Sequence, residues 1–476
     1  MRREFIFERV ADQTRLAVLD DGKLCELYYE RGGRAKLAGN IYAGRVQNVL
    51  PGMNAAFVDI GMGKNAFLYA GDINIDVRGE EALQDRLEKA RIEKIVRPGQ
   101  MILAQVVKEP GGSKGPRISG YITLPGRLCV LLPTIQYAGV SKKIDDTAER
   151  SRLFEAAKAL VQASGAGIIV RTAAEGVDIA QIEADHARLL RLWKKIETEG
   201  VHGAKPRLLQ SDGSLVLRAV RDMMDESVCA VRTDDEAVYR EFQNCAAALT
   251  PEYAGRIELV RGEIPLFDSL RIDHQLEKAF ARHVYLKSGG TIVIDETEAM
   301  TVIDVNTGKF TGKKNLQETI FALNCEAAEE IARQLRLRDI GGIIIIDFID
   351  MEEPERRAAL IEHLKEILSR DRNRTNVLGM TALGLVEMTR KKVRRPLSKQ
   401  LMRDCSACLG AGWEWTYESI AYRIVREIWR RRRSGDVSTL RILTGENVAG
   451  WLNTIGVPGG CSVDASGSDM NYEILC

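Results

Sequence analysis

The spacing of hydrophobic and polar positions changes several times along the chain, and each change predicts a different architecture. The opening "FIFERVADQTRLAVLDDGKLCELYYE" reads as strands, with Asp21-Gly22 in a tight hairpin turn. From about Lys36 to Ser119, short runs such as "GNIYAGRVQNVLPGMNAAFVDIGMGKNAFLYAGDI" are followed by a charged helix near residues 79–96 and a late strand, "MILAQVVKE". Short strands, Gly and Pro turns and a return strand predict a small barrel of the OB type. Residues 120–214 alternate strands ("RLCVLLP", "GIIVRT") with amphipathic helices ("DDTAERSRLFEAAKALVQAS", "IEADHARLLRLWKKIETE"), and mixed strand and helix continues to about residue 280.

Between Lys287 and Met351 the order is hairpin, helix, strand. "TIVIDETEAMTVIDVN" gives two strands about a polar turn, and "GGIIIIDF" gives a third, which its four isoleucines predict to be buried on both faces. Asn315 can cap the intervening helix, with Glu318 reaching back. Leu316, Ile320, Leu323, Ala327, Ile331 and Leu335 supply one apolar stripe. Such a βαβ unit requires its flanking strands to be parallel.

That requirement is what makes the charges interesting. Asp304 closes "MTVI" as Asp347 closes "IIII", so two carboxylates reach the carboxyl edge where open α/β sheets bind ligands. The pair suits Mg²⁺, which takes one or two carboxylates and leaves its other positions to water and phosphate. Asn306, on the same strand face as Asp304, is placed to orient it. Asp350 points away from Asp347 if the strand persists. The plainer alternative is that the aspartates end their strands or pair with Lys309, Arg336 or Arg338.

Other clusters point toward a polyanion. Tyr42, Arg45, Phe57, Lys64, Phe67, Tyr69, Lys108 and Lys114 give the barrel a mixed aromatic and basic face suited to single-stranded nucleic acid, unless the phenylalanines fill the barrel core. "GIIVRTAAEG" delivers Arg171 and Thr172 to a strand end, a donor fork and a hydroxyl fit for a terminal phosphate or, alternatively, for a nearby carboxylate. Cys405 and Cys408 form the one CxxC pair, half of a zinc site that the same pair in a second subunit would complete; the alternative is two reduced thiols in a Gly-rich turn. "GKFTGKK" is too short for a P-loop, and no HExxH occurs.

The 476 residues exceed one hydrophobic core and predict two to four domains. No apolar run approaches a membrane span, and the charged start "MRREFIFERV" does not read as a signal peptide, so the expected location is the cytoplasm, without a membrane partner. The net charge is only +1, yet seven basic and no acidic residues lie between Arg390 and Arg403, and Arg430 to Arg433 is an unbroken run.

"GNIYAGRVQNVLPGMNAAFVDIG", "TVIDVNTGKF", "EIARQLRLRDIGGIIIIDFIDM" and "CSACLGAG" together resemble the ribonuclease E/G endoribonucleases, from the N-terminus to about residue 415. The resemblance implies a multidomain α+β fold. Residues 1–35 with 215–279 would form a degenerate RNase H-like subdomain, 36–119 an OB-fold RNA-binding domain, and 120–214 a 5′-sensor subdomain. Residues 280–400 would form a DNase I-like catalytic subdomain, 401–415 the zinc link and 416–476 a small domain. It implies Mg²⁺ on Asp304 and Asp347 with Asn306 in support, and RNA held by Phe57, Phe67 and Lys114. It also implies a pocket of Gly126, Val130, Arg171, Thr172 and Arg374 for a 5′-monophosphate. Zn²⁺ shared by Cys405 and Cys408 of two subunits would make a homodimer, and a tetramer of such dimers is compatible with it. Where the family reads Cys-Pro-x-Cys, this chain has Ser406. The implied activity is Mg²⁺-dependent hydrolysis of single-stranded RNA, stimulated by a 5′-monophosphate and leaving 5′-phosphate and 3′-hydroxyl ends. The implied substrates are messenger RNA and ribosomal and transfer RNA precursors. The rival expectation is a non-catalytic RNA-binding or ribosome-associated protein.

Overall fold

A computed structural model describes residues 2–31, 37–73, 91–110, 115–201, 205–308, 316–402, 416–433, 439–457, 459–468 and 472–475. The chain forms two compact units, Met1–Pro396 and Leu397–Cys476. In the first, β1 (Arg3–Val10), β2 (Gln13–Asp20) and β3 (Lys23–Arg31) make an antiparallel meander. Asp21 and Gly22 both carry positive φ (49° and 78°), the primed turn that a two-residue hairpin needs.

The chain then leaves this sheet to build a barrel from β4 (Ile41–Leu50), β5 (Ala55–Asp59), β6 (Ala66–Tyr69), β7 (Met101–Lys108) and β8 (Arg117–Ser119). Pairing runs β4-β5-β6-β8-β7 and returns to β4, so the five strands close, consistent with an OB-fold. Of the expected helix near 79–96, residues 74–90 lie outside the described residues and Ile92–Ile95 is helical.

Next come β9 (Leu124–Pro125), β10 (Cys129–Leu132) and β11 (Ala138–Val140), then α1 (Thr147–Ser164), β12 (Gly167–Val170) and α2 (Ile179–Val201). Asp146 caps α1 by accepting from the N–H groups of Ala148 and Glu149 at 2.8 and 2.9 Å. The strands pair in the order β11-β12-β10-β9, with Leu153, Ala157, Ile182 and Leu189 buried against them.

β13 (Arg207–Gln210) adds to β4 of the barrel. After α3 (Leu215–Met223), β14 (Val228–Thr233), α4 (Glu236–Leu249) and β15 (Ile257–Leu259) return to the first sheet. Its order is β15-β14-β1-β2-β3, with β1 parallel to β14. Phe5, Phe7, Leu16 and Val18 pack there against Val216, Val220, Val238 and Phe242.

The fourth sheet of this unit uses β16 (His283–Tyr285), β17 (Thr291–Glu296), β18 (Met300–Asn306) and, after α5 (Leu316–Leu337), β19 (Gly342–Asp347). α6 (Pro354–Ser369), β20 (Thr375–Met380) and β21 (Leu385–Arg390) complete it. The order is β16-β17-β18-β19-β21-β20, and β18 and β19 are parallel. Ile320, Leu323, Ala327, Ile331 and Leu335 are buried as the stripe predicts; the Asn315 cap and the Leu316 side chain lie outside the described residues.

The isoleucine run differs from expectation. Ile344 and Ile346 are fully buried under α5 and α6, while Ile343 is 49% exposed and Ile345 half-buried. β19 pairs antiparallel with β21, and the helices join one core on one side of the sheet. The opposite face, with Val302 and Met300 also exposed, is uncovered among the described residues. Apolar continuity here reflects β-branched strand preference, not burial on two sides.

The second unit is built from α7 (Tyr417–Arg433), β22 (Leu440–Leu443), α8 (Glu446–Ile455), β23 (Cys461–Asp464) and β24 (Glu473–Leu475). β22 is central, parallel to β23 and antiparallel to β24.

Candidate active site

Period-two alternation puts Val302, Asp304 and Asn306 of β18 on the uncovered face, and Ile343, Ile345 and Asp347 of β19 on the same one. Asp304 and Asp347 are direct partners in the parallel ladder, side by side at the strand ends. Asn306 donates its Nδ2–H to Asp304 Oδ2 at 2.6 Å. Beyond Asn306, Gly308 takes φ +58° against the Gly289-Gly290 turn, where a Cβ would stand 2.4 Å from the Gly289 carbonyl oxygen. Only glycine fits there.

The arginines offered as structural partners are engaged elsewhere. Arg336 donates to Glu26 Oε1 at 2.6 and 3.0 Å and to Asp20 Oδ2 at 3.0 Å, and Arg338 bonds Gln334 and the Ala281 carbonyl. Lys309 lies outside the described residues. Among the described residues Asp304 and Asp347 make no ion pair. Partial desolvation, then the charges of Asp304 and Asp350, push the Asp347 carboxyl above the ordinary aspartate range. Asp350 therefore acts on this end of the sheet: β19 stops at Asp347, so strand alternation does not carry Asp350 away from it.

Two adjacent, mutually repelling carboxylates that no cationic side chain pairs with among the described residues fit a divalent ion. Among the described residues no three His, Cys, Asp or Glu side chains come together to cage a metal. A cation held by this pair would keep most of its positions for water and phosphate oxygens, the habit of Mg²⁺.

On the barrel, Phe57 and Phe67 are register partners of β5 and β6, with ring centroids 6.1 Å apart and planes inclined at 70°. They are half-buried, whereas their neighbours Ala56, Val58, Ala66 and Leu68 fill the core. The rings thus lie on the outer face of the second and third barrel strands, the face OB-folds use for oligonucleotides. Tyr42 does not join them: at 5% exposure it belongs to the core. Lys114 lies outside the described residues. The next residue, Gly115, approaches the start of β6 so closely that a Cβ would stand 2.0 Å from the Asn65 carbonyl oxygen.

Arg171, at the end of β12, donates Nη1–H to the Gly126 carbonyl at 2.6 Å and to Asp222 Oδ1 at 2.8 Å. Thr172 Oγ1 lies 2.9 Å from Ser141 Oγ, and Val130 pairs with Ile169 on the adjoining strand. Gly126 is required because the Asp185 carboxylate, which accepts from the Leu128 N–H at 2.9 Å, would overlap any Cβ there. Arg374 is exposed, three residues beyond Asp371, whose carbonyl accepts from Lys143 Nζ at 3.4 Å.

Residues 123–393 match the model of the ribonuclease E/G family. The chain is 42% identical to ribonuclease G of Escherichia coli (strain K12), over 94% of this chain and 92% of that protein. It is 42% identical to ribonuclease G of Haemophilus influenzae, over 90% and 87%. To ribonuclease E of Escherichia coli (strain K12) it is 34% identical, over 95% of this chain and 42% of that longer protein. This chain belongs to the ribonuclease E/G family.

Within this ribonuclease E/G chain, Cys405 and Cys408 lie outside the described residues, and so does Ser406. Sequence reasoning missed Asp185 and Asp222. Burial would raise the Asp222 carboxyl, but hydrogen bonds and charge from Arg221 and Arg171 hold it below the ordinary range. Neither aspartate stands at a strand end or in a motif, so no local signal could have found them.

Proposed function

We propose that this endoribonuclease cuts single-stranded RNA with Mg²⁺ held by Asp304 and Asp347, leaving 5′-phosphate and 3′-hydroxyl ends. The observation that carries the proposal is the register pairing of two carboxylates that no arginine or lysine neutralises among the described residues. When bound, the ion would polarise the phosphate and acidify an attacking water. Asn306 holds Asp304 in orientation. Phe57 and Phe67, with Lys114, stack and steer the RNA on the barrel. Gly126, Val130, Arg171, Thr172 and Arg374 receive a 5′-monophosphate, which favours productive engagement; the Arg171 fork and the Thr172 hydroxyl are the donors such a group needs.

The domain reading goes with this. The sheet of β1–β3 with β14 and β15 supports an RNase H-like subdomain formed by 1–35 and 215–279, followed in function by the 36–119 barrel and the 120–214 sensor. Residues 280–400 serve as a DNase I-like catalytic subdomain, 401–415 as a zinc link that joins two subunits through Cys405 and Cys408, and 416–476 as a small domain. The enzyme acts in the cytoplasm on messenger RNA and on ribosomal and transfer RNA precursors.

The test is cleavage of one short RNA bearing a 5′-monophosphate or a 5′-hydroxyl, with and without Mg²⁺. Cleavage that needs Mg²⁺ and is faster on the monophosphate is expected. Equal rates on the two ends would refute the sensor, and undiminished cleavage in chelator would refute the metal.

A further inference from the structure

The arginine run of the second unit has no role in the reaction just described. α7 is two-faced: Ile420, Ala421, Ile424 and Ile428 are at most 5% exposed and pack on Leu440, Ile442, Val448 and Leu452. The opposite face carries Tyr422, Arg423, Arg426, Trp429 and Arg430, all exposed. Tyr422, Arg426 and Trp429 follow the i, i+4, i+7 spacing that aligns residues along one helix face. Trp429 is 54% exposed and Tyr422 44%. Aromatic side chains of this size dominate core and interface energetics, so two left on one stripe mark a surface built for contact.

Charge selects the partner. The helix carries six arginines against two glutamates, Glu418 and Glu427. Glu427 is used internally, accepting from Arg431 and from the Tyr472 hydroxyl at 3.0 Å each. Arg426 and Arg430 make no ion pair among the described residues. A second copy docking face to face would set Arg423, Arg426 and Arg430 against their own equivalents, a repulsive arrangement at a two-fold interface. A single-stranded polyanion with planar bases meets both features, because its phosphates pair with guanidiniums while its bases stack on the indole and phenol.

We infer that the exposed stripe of α7 is a second binding surface for single-stranded RNA, independent of the barrel and of the 5′-phosphate pocket. It requires neither the metal nor the end-sensing reading, since it concerns affinity alone.

The experiment uses the full chain and a long unstructured RNA. Cross-linking through photoreactive uridines should give adducts on the peptide holding Tyr422 and Trp429. Tyr422→Ala with Trp429→Ala should weaken binding of the long RNA about thirtyfold or more, the loss expected for two base–aromatic stacks. Trp429→Tyr should retain most of the affinity. Arg426→Gln and Arg430→Gln should each lower the slope of log Kd against log salt by about 0.7. Circular dichroism confirms that each variant keeps its helix. No adduct on α7 together with unchanged affinity and salt slope would overturn the inference. Loss of oligomer mass in the aromatic double variant without any adduct would also overturn it, by assigning the face to self-association.

Discussion

The two ends of the β19–β21 pair hold acidic residues in opposite ways. At one end Arg390, partner of Gly342, is buried and donates to Asp371 Oδ2 at 2.7 Å, to Asp339 Oδ1 at 3.4 Å and to the Ile340 carbonyl at 2.8 Å. All three side chains are at most 4% exposed. At the other end Asp347, partner of Leu385, stands beside Asp304, whose hydrogen bond from Asn306 neutralises no charge, and neither carboxylate makes an ion pair among the described residues. The same side chain is a structural tie where a guanidinium meets it. Where like charges are gathered and no guanidinium meets them among the described residues, it is, in the proposed function, a socket for a cation.

Substitutions at the two ends should therefore fail differently. The largest effect is expected at the socket: Asp304→Asn or Asp347→Asn should cut kcat about ten-thousand-fold, or about 5.5 kcal/mol, since the metal would lose a charged ligand. RNA affinity and thermal stability should stay within a few tenths of a kcal/mol. A variant that cleaves normally would dissolve the contrast.

At the other end, Arg390→Met removes the cation from buried Asp371, while Asp339 keeps Arg394 at 2.6 Å, and should cost about 3–5 kcal/mol of stability in urea titration, with normal activity in the molecules that remain folded. Equal stability to wild type would mean that the cluster is not a tie. Asn306→Ala removes one hydrogen bond to a charged group, and should lower kcat about tenfold with little change in KM.

The smallest shifts, and the sharpest for the comparison, are those in pH dependence. Burial would push the Glu26 carboxyl up, but Arg336, Arg372 and the Tyr28 hydroxyl pull it down to about 2. Its stabilisation is full above the unfolded value of 4.5 and is lost as pH falls from there toward 2. Asp347 shifts the other way: its charge costs stability at neutral pH, and that cost is relieved as pH falls through its raised pKa. Acidification should therefore abolish metal-dependent cleavage before it unfolds the chain. Circular dichroism and cleavage followed across the same titration would refute this if the two signals fell together.

What was legible in the sequence follows from range. The Asp304–Asp347 pairing was readable because a crossover helix imposes parallel strands, and the stripe through Ile320 and Leu335 fixed that helix. The placement of Phe57 and Phe67 outside the core needed the register of β5 against β6, since alternation alone permits either face. The exposure of Ile343 was misread because a run of β-branched residues suits a strand whether one face or two are covered. Asp222 was invisible because its partner, Arg171, is 51 residues away and no periodicity connects them.

The pairing of β1 with β14 has a consequence in time. Arg3 and Ser227, which meet beside that junction, are 224 residues apart. At synthesis rates of about 5–20 residues per second, the open edge of β1 waits roughly 10–45 s on the ribosome before its neighbour exists. During that interval the nascent meander offers unpaired backbone to any passing strand. Slow translation or a delayed β14 should therefore harm this protein through insolubility rather than through weakened chemistry.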